Sequence, residues 1–157
     1  MINNPILDAL YIDTQYSALV PTMTSNTLPS GVALASVEPT GLEAWRAFSN
    51  NSSNEWYDII QSGTGWLQYK FTSNKVVISY KWRYGPLINN TTSFTLQGSN
   101  DGSTFTILDT QNGIFMAAGT FFNGQITSAG KYLYYRLNFT ANSSNLASVT
   151  LFQMYGY

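Results

Sequence analysis

The stretch from residue 82 to residue 86, Trp-Arg-Tyr-Gly-Pro, combines the side-chain types that bind a sugar. Arg83 offers several fixed N–H donors, while Trp82 and Tyr84 offer aromatic faces. A sugar ring has hydroxyl groups at its edge and C–H bonds on its face, so it uses both. Asn89 follows in the loop that this stretch enters, and loops often carry binding residues. We therefore predict a ligand site at these four residues; in the alternative interpretation, Trp82 belongs to the core and Arg83 caps the barrel.

Two further segments could contribute to the same site. Asn54 and Tyr57 belong to a polar loop with an aromatic end, and both are predicted to contact ligand. Phe121 and Phe122 are adjacent, and neighbouring residues of a strand point to opposite faces. One of the two rings is therefore expected to be exposed, as contact surfaces often are. The alternative is a bulge that buries both rings.

The residue types present argue against catalysis. The chain has no histidine and no cysteine, which excludes Ser-His-Asp and Cys-His nucleophile systems and metal sites built on either residue. A glycosidase would need two carboxylates that flank a bond. Glu55 and Asp58 are the only clustered pair beside an aromatic residue, and a solvated loop explains them better. We predict a non-enzymatic protein with no catalytic residue.

The composition favours a neutral ligand. Charged residues make up 10% of the chain and the net charge is −1, so no basic field exists to hold nucleic acid or an acidic membrane surface. Asn, Ser, Thr and Gln must supply the polar surface. No run of about 18 apolar residues could span a membrane. Residues 1–10 lack the features of a secretory signal peptide.

Many short strands separated by turn residues predict an all-β sandwich or barrel. Apolar and polar residues alternate over 66–71, as in a half-buried strand. Further strands are predicted at 75–82, 93–98, 104–108, 131–139 and 149–157, and one or two helical turns at 41–48. The candidate core residues are Trp45, Trp66, Phe71, Phe94, Leu96, Leu137 and Met154.

A set of segments occurs in a characteristic order. They are 44–50, Trp56, 65–71, 94–102, 134–137 and 154–156. Over roughly 21–157 the chain resembles the discoidin, or coagulation factor V/VIII C-type, domain family, which is galactose-binding-like. The resemblance implies a jelly-roll β-sandwich of about eight antiparallel strands, with ligands bound by loops at one mouth. Residues 23–27 are similar to versions found in bacteriophage virion proteins.

The resemblance also implies a structural calcium site, which this sequence departs from. Ser49 stands where the family has an aspartate, and Leu151 stands at the position of a C-terminal glutamate. Calcium prefers several hard oxygens that include carboxylates. Glu55 and Asp58 with backbone carbonyls could form a replacement, but the family's ligand positions look lost. No cofactor and no metal ligand are predicted.

The functional hypothesis is a non-catalytic module that recognises a surface glycan or cell-surface receptor on a phage particle or secreted assembly. Residues 1–20 are predicted to be an N-terminal extension or attachment arm to other virion proteins, and 21–157 the sandwich domain. The extension could also be an edge strand or a short helix. Weak sugar contacts predict a homo-oligomer at the virion surface or outside the cell. The competing hypotheses are a structural or decoration protein of a virion without its own sugar ligand, and a depolymerase. Arg136 is left open between reaching the mouth and pairing with a carboxylate such as Asp109.

Overall fold

The computed structural model describes residues 16–58, 63–85 and 89–157. Within these ranges the chain forms nine antiparallel strands and one short 3-10 helix, Ala44–Phe48, in the segment predicted to be helical. The strands are β1 (Ser17–Ala18), β2 (Val32–Ala35), β3 (Trp56–Tyr57), β4 (Gly65–Tyr84), β5 (Asn90–Ser99), β6 (Thr106–Met116), β7 (Phe121–Gln125), β8 (Lys131–Asn142) and β9 (Ser148–Gly156). The predicted all-β sandwich is confirmed.

Strand β4 builds both halves of the sandwich. It is 20 residues long, and its first half pairs with β2 and β8 in a five-stranded sheet ordered β2-β4-β8-β5-β6. Its second half pairs with β7 and β9 in the second sheet, where β1 and β3 lie on the far side of β9. The change of sheet follows an irregularity between Lys70 and Lys75. The two strands predicted at 66–71 and 75–82 are therefore one continuous strand.

The core lies between the sheets and is rich in aromatic rings. Trp82 is fully buried, and its ring meets those of Phe94 and Phe139 edge-on at 5.3 Å each. Such edge-to-face pairs stabilise a core beyond the area they bury. The remaining large side chains that are almost fully buried are Met23, Trp56, Leu67, Tyr69, Tyr80, Tyr84, Leu96, Tyr135 and Phe152.

Most of the predicted core is confirmed, and one prediction is wrong. Phe71, Phe94, Leu96, Leu137 and Met154 are buried. Trp45 is partly buried and packs against the core.

Trp66 lies instead on the outer face of the five-stranded sheet, half-buried under Arg136. The strand's alternation explains this, because Leu67 and Tyr69 point inward and Trp66 shares the outward side with Gln68.

The N-terminal boundary of the sandwich lies within the segment predicted as an extension. Ser17 and Ala18 form an edge strand on β9, the Leu19 N–H donates to the Met154 carbonyl, and Val20 is buried. These residues are therefore part of the fold. Residues 1–15 lie outside the described part of the chain, and their role as an attachment arm stays a prediction.

The first and last residues of β4 lie at the same end of the sandwich. We call this end, with the connections that meet there, the loop end. It comprises the described parts of the connections at 58–64 and 85–89, and the loops at 117–120 and 143–147. No helix in the described ranges is long and apolar enough to cross a membrane.

Candidate binding site at the loop end

Two buried asparagines hold the loop end together. The Asn90 Nδ2 donates to Asn142 Oδ1 at 2.7 Å, and the Asn142 Nδ2 donates to the Gly63 carbonyl at 2.8 Å. Asn90 Oδ1 accepts from Ser143 Oγ and from the Ser144 N–H. A side-chain amide has donors and acceptors enough to tie several backbone segments at once. The pair therefore links β5 and β8 to two loops.

Arg83 lies beside this scaffold on the outer face of the second sheet. Its Nε donates to the Gly119 carbonyl at 2.7 Å, and its guanidinium carbon lies 5.8 Å from the centre of the Phe121 ring. A Cβ at Gly119 would lie 3.0 Å from Arg83 Nη2. Among the described residues neither Nη1 nor Nη2 has a hydrogen-bond partner. Within the described part of the chain, the side chain is thus anchored at one nitrogen, and its two N–H₂ groups are candidate donors.

The φ of Gly119 is 70°. A φ of 70° lies in the left-handed region, which glycine adopts without steric cost. The same glycine leaves room for the Arg83 guanidinium against the loop. Both properties favour glycine at position 119.

Phe121 and Phe122 point in opposite directions, as the strand geometry predicts. Phe122 is paired with Trp82 across the strands, and its ring packs edge-on against Phe94 at 5.0 Å. Phe121 is paired with Arg83 and is 51% exposed. The prediction that one of the two rings is exposed is confirmed, and that ring is Phe121.

The side chains of Arg83 and Asn89 both form hydrogen bonds with the backbone of the loop at 117–120. Asn89 is exposed, and its Oδ1 accepts from the Ala118 N–H at 2.9 Å, one residue before the carbonyl that Arg83 contacts. The Asn89 Nδ2 has no partner among the described residues. Arg83, Asn89 and Phe121 thus lie around one short loop, and together they offer N–H donors and an aromatic face.

The structure places the other predicted site residues elsewhere. Trp82 and Tyr84 are 0% and 1% exposed, so neither presents a ring face to a ligand. Burial raises the pKa of the Tyr84 hydroxyl. Asn54 donates to Ser49 Oγ at 2.9 Å in the turn after the 3-10 helix. Tyr57 is half-buried in β3, opposite Ser148. No described contact joins Asn54 or Tyr57 to Arg83.

The turn that the resemblance associates with calcium is closed by its own hydrogen bonds. Ser49 Oγ donates to the Arg46 carbonyl at 2.8 Å and accepts from Asn54. Glu55 accepts a hydrogen bond from Ser148, and Asp58 is buried. No group of three potential metal-ligating side chains occurs within the described ranges. Ser49, which stands where the resemblance places an aspartate, supplies a hydroxyl and no carboxylate to this turn.

Arg136, which the sequence left open between the mouth and a carboxylate partner, packs on two aromatic rings that sequence reasoning did not associate with it. The Arg136 guanidinium carbon lies 4.3 Å from the centre of the Trp66 ring and 3.8 Å from that of Phe105. Its Nε and Nη2 donate to Gln68 Oε1 at 3.0 and 2.9 Å. Burial lowers the pKa of this guanidinium.

Asp109 is not the partner of Arg136, because the Asp109 carboxylate accepts from the Tyr80 hydroxyl at 2.5 Å. The outward register of Trp66, Gln68 and Arg136 could have revealed this cluster from the sequence.

Comparison with known proteins identifies the fold. No protein-family model matches the chain, and no curated protein matches it. Chitosan-binding module 1 from a chitosanase/glucanase of Paenibacillus sp. IK-5 is 26% identical with a TM-score of 0.63, over 85% of this chain and 100% of that one. The fold is that of carbohydrate-binding modules.

Two further solved structures agree. The CBM32 of AlyQ, in complex with 4,5-unsaturated mannuronic acid, is 18% identical with a TM-score of 0.68, over 84% of this chain and 97% of that one. The family 32 module of C. perfringens NanJ, in complex with galactose, is 15% identical with a TM-score of 0.68, over 80% and 93%. The sandwich expected from the discoidin resemblance is confirmed as a fold.

Proposed function

We propose that the chain is a non-catalytic module that binds a neutral glycan at the loop end, through Arg83, Asn89 and Phe121. The observation that carries this proposal is the state of Arg83, which is fixed to the Gly119 carbonyl while its two terminal nitrogens lack partners among the described residues. Fixed donors beside an exposed ring suit the hydroxyl groups and the C–H face of one sugar.

The similar structures support this proposal. One is a chitosan-binding module, and the other two are in complex with 4,5-unsaturated mannuronic acid and with galactose. All three are carbohydrate ligands, and galactose is the neutral one. The absence of histidine and cysteine from the sequence excludes the commonest nucleophile systems. A binding role therefore accounts for the site without a reaction.

We extend the proposal to a multi-copy assembly, since linked weak sites gain avidity without new contacts. A phage particle or a secreted assembly would provide the copies, with the segment before β1, residues 1–15, as the arm that attaches them. These points, like the homo-oligomer, stay predictions from the sequence. Removal of residues 1–15, which leaves β1 intact, tests the arm: loss of incorporation into particles by a folded protein would assign it to assembly.

A glycan array tests the binding site. The protein is displayed in multivalent form, and wild type is compared with Arg83→Ala and Phe121→Ala. We expect selective binding to neutral glycans that either substitution abolishes, because each removes one half of the donor-and-ring pair. The matched control is Phe115→Ala, which removes a phenylalanine that is 66% exposed on the other sheet.

Two outcomes would contradict the proposal. One is an absence of binding by the folded, multivalent wild type. The other is an equal loss in Phe115→Ala, because that result would show general adhesion through exposed rings. Circular dichroism establishes that each variant is folded.

A further inference from the structure

The outer face of the five-stranded sheet carries a row of side chains in register across all its strands. The row consists of Leu34, Gln68, Arg136, Gln97 and Ile107. Arg136 lies at its centre, between the Trp66 and Phe105 rings. Ile107 is 59% exposed at one end. We call this row, together with Trp66, Phe105, Lys70 and Tyr134, the sheet face.

The sheet face holds two cations that form no ion pair with any residue the structure describes. Arg136 forms no ion pair within the described ranges, and Lys70 places its Nζ 5.4 Å from the centre of the Tyr134 ring, also without a carboxylate partner there. Glu38 accepts from Asn26 and from two backbone N–H groups. A partly desolvated cation without a partner favours the approach of an anion.

Two other acids near this sheet accept hydrogen bonds from neutral groups. Asp101 accepts from the Ser103 and Thr104 N–H groups within its own turn. Asp109 accepts from Tyr80 and Gln111. Within the described ranges, neither carboxylate forms an ion pair with Arg136 or Lys70.

The spacing of the cations suits an extended ligand. Lys70 pairs with Tyr134, two residues before Arg136 on β8. Such diagonal neighbours on adjacent strands lie about 7–8 Å apart at Cα. Two cations at this spacing, with rings and amides beside them, can contact neighbouring units of a polymer.

We propose that the sheet face binds an acidic polysaccharide through carboxylate groups on its sugar units. Arg136 and Lys70 contact the carboxylates, the rings pack against sugar faces, and Gln97 donates to hydroxyl groups. This site is separate from the neutral-glycan site at the loop end and does not depend on it.

Polygalacturonate is the probe, and its methyl ester, which has the same backbone without charge, is the matched ligand. Binding is measured by titration calorimetry at two salt concentrations. We expect wild type to bind the acid form more tightly than the ester, with an affinity that falls as salt rises. Lys70→Gln, an exposed-side substitution that keeps the core intact, should weaken binding about five- to tenfold through the loss of one charge-assisted contact.

The matched control is Lys81→Gln. Lys81 places its Nζ 5.1 Å from the centre of the Tyr155 ring on the second sheet, so the substitution changes the same charge beside the same kind of ring. It should leave affinity unchanged, as should Arg83→Ala. Chemical-shift mapping should move the Trp66 indole N–H signal and not that of buried Trp82.

Several results would overturn the proposal. They are absence of polygalacturonate binding, equal binding of acid and ester, equal losses in Lys70→Gln and Lys81→Gln, or loss only in Arg83→Ala. Sedimentation that shows a dimer dissociated by Trp66→Ser would also overturn it, since a second copy would then cover the face. Because Arg83→Ala removes only the loop-end contacts, failure of either site is distinguishable from failure of the other.

Discussion

The loop end and the sheet face both place an arginine against aromatic rings, but they hold it differently. At the loop end, Arg83 is anchored by one hydrogen bond and lies 5.8 Å from a single ring. At the sheet face, Arg136 lies between two rings at 4.3 and 3.8 Å and gives two hydrogen bonds to Gln68. The difference lies in how many of the guanidinium's donors and faces the protein itself uses.

This comparison separates two ways of presenting a cation. With respect to the described residues, Arg83 keeps most of its donors, which the proposed site directs at hydroxyl groups of a small ligand. Arg136 is fixed by packing and contributes mainly its charge and its planar edge. A guanidinium makes directional contacts in its plane and stacks above it, so the same residue type can serve either role.

The largest expected effect on stability comes from removing the buried asparagine pair that supports the loop end. Asn142→Ala would leave the Gly63 carbonyl and the Asn90 amide without their buried partner, which we expect to lower the free energy of unfolding by about 2–4 kcal/mol. Binding at the loop end should weaken, and the sheet face should keep its affinity. Chemical denaturation and titration with both ligands measure this.

Asn138→Ala is the control for that experiment, since Asn138 lies on the same strand and points to the outer face. It should change stability by less than about 0.5 kcal/mol, as surface substitutions do. Equal destabilisation by the two substitutions would show that the buried asparagine pair does not support the loop end.

A second effect distinguishes the two arginines by stability. Arg136→Ala removes contacts with two rings and the hydrogen bonds to Gln68, and should lower the free energy of unfolding by about 1–2 kcal/mol. Arg83→Ala should cost less than about 1 kcal/mol. Denaturation midpoints at unchanged slope provide the measurement. A larger loss for Arg83 would reverse the comparison.

The smallest effect is a difference in pH response. Neutral-glycan binding at the loop end should stay constant from about pH 5 to 8, because the chain has no histidine or cysteine to titrate there. Polygalacturonate binding at the sheet face should fall as its carboxyl groups become protonated near about pH 4. Titrations at pH 7, 5 and 4 test this, and parallel losses for both ligands would contradict it.

Acid stability is the control for the pH series. The Arg46 guanidinium, which bonds Glu43 at 2.7 Å, lowers the pKa of that carboxyl to about 2 from 4.5. The folded-state pKa is below the unfolded one, so this stabilisation is present above about pH 4.5 and is lost as the pH falls toward 2. Circular dichroism at each pH therefore corrects binding for any unfolded fraction.

The sequence predicted the sandwich well because strand alternation and turn residues are local signals. The alternation from Trp66 to Phe71 also indicates that Trp66 points outward, because it shares a side of the strand with Gln68 and Lys70. Trp66 was predicted to be a core residue because its side chain is hydrophobic, although its place in the alternation indicates the outer face. The same alternation explains why Arg83 points outward while Trp82 and Tyr84 are buried.

Other features depend on contacts between distant parts of the chain. Asn90 and Asn142 are 52 positions apart, and no local pattern indicates that they bond. The 3.8 Å contact of Phe105 with Arg136 likewise depends on how the β5–β6 turn folds back over the sheet. Such arrangements follow from tertiary packing, which sequence periodicity does not describe.

The length of β4 has a consequence for dividing the molecule. This one strand is an internal strand of both sheets. Its exposed residues 72–74 lie where it passes from one sheet to the other. A chain break there would leave each sheet with its own half of the strand. The bend is therefore the natural place to cut the protein into two fragments that reassociate, with Trp66 on one and Arg83 on the other.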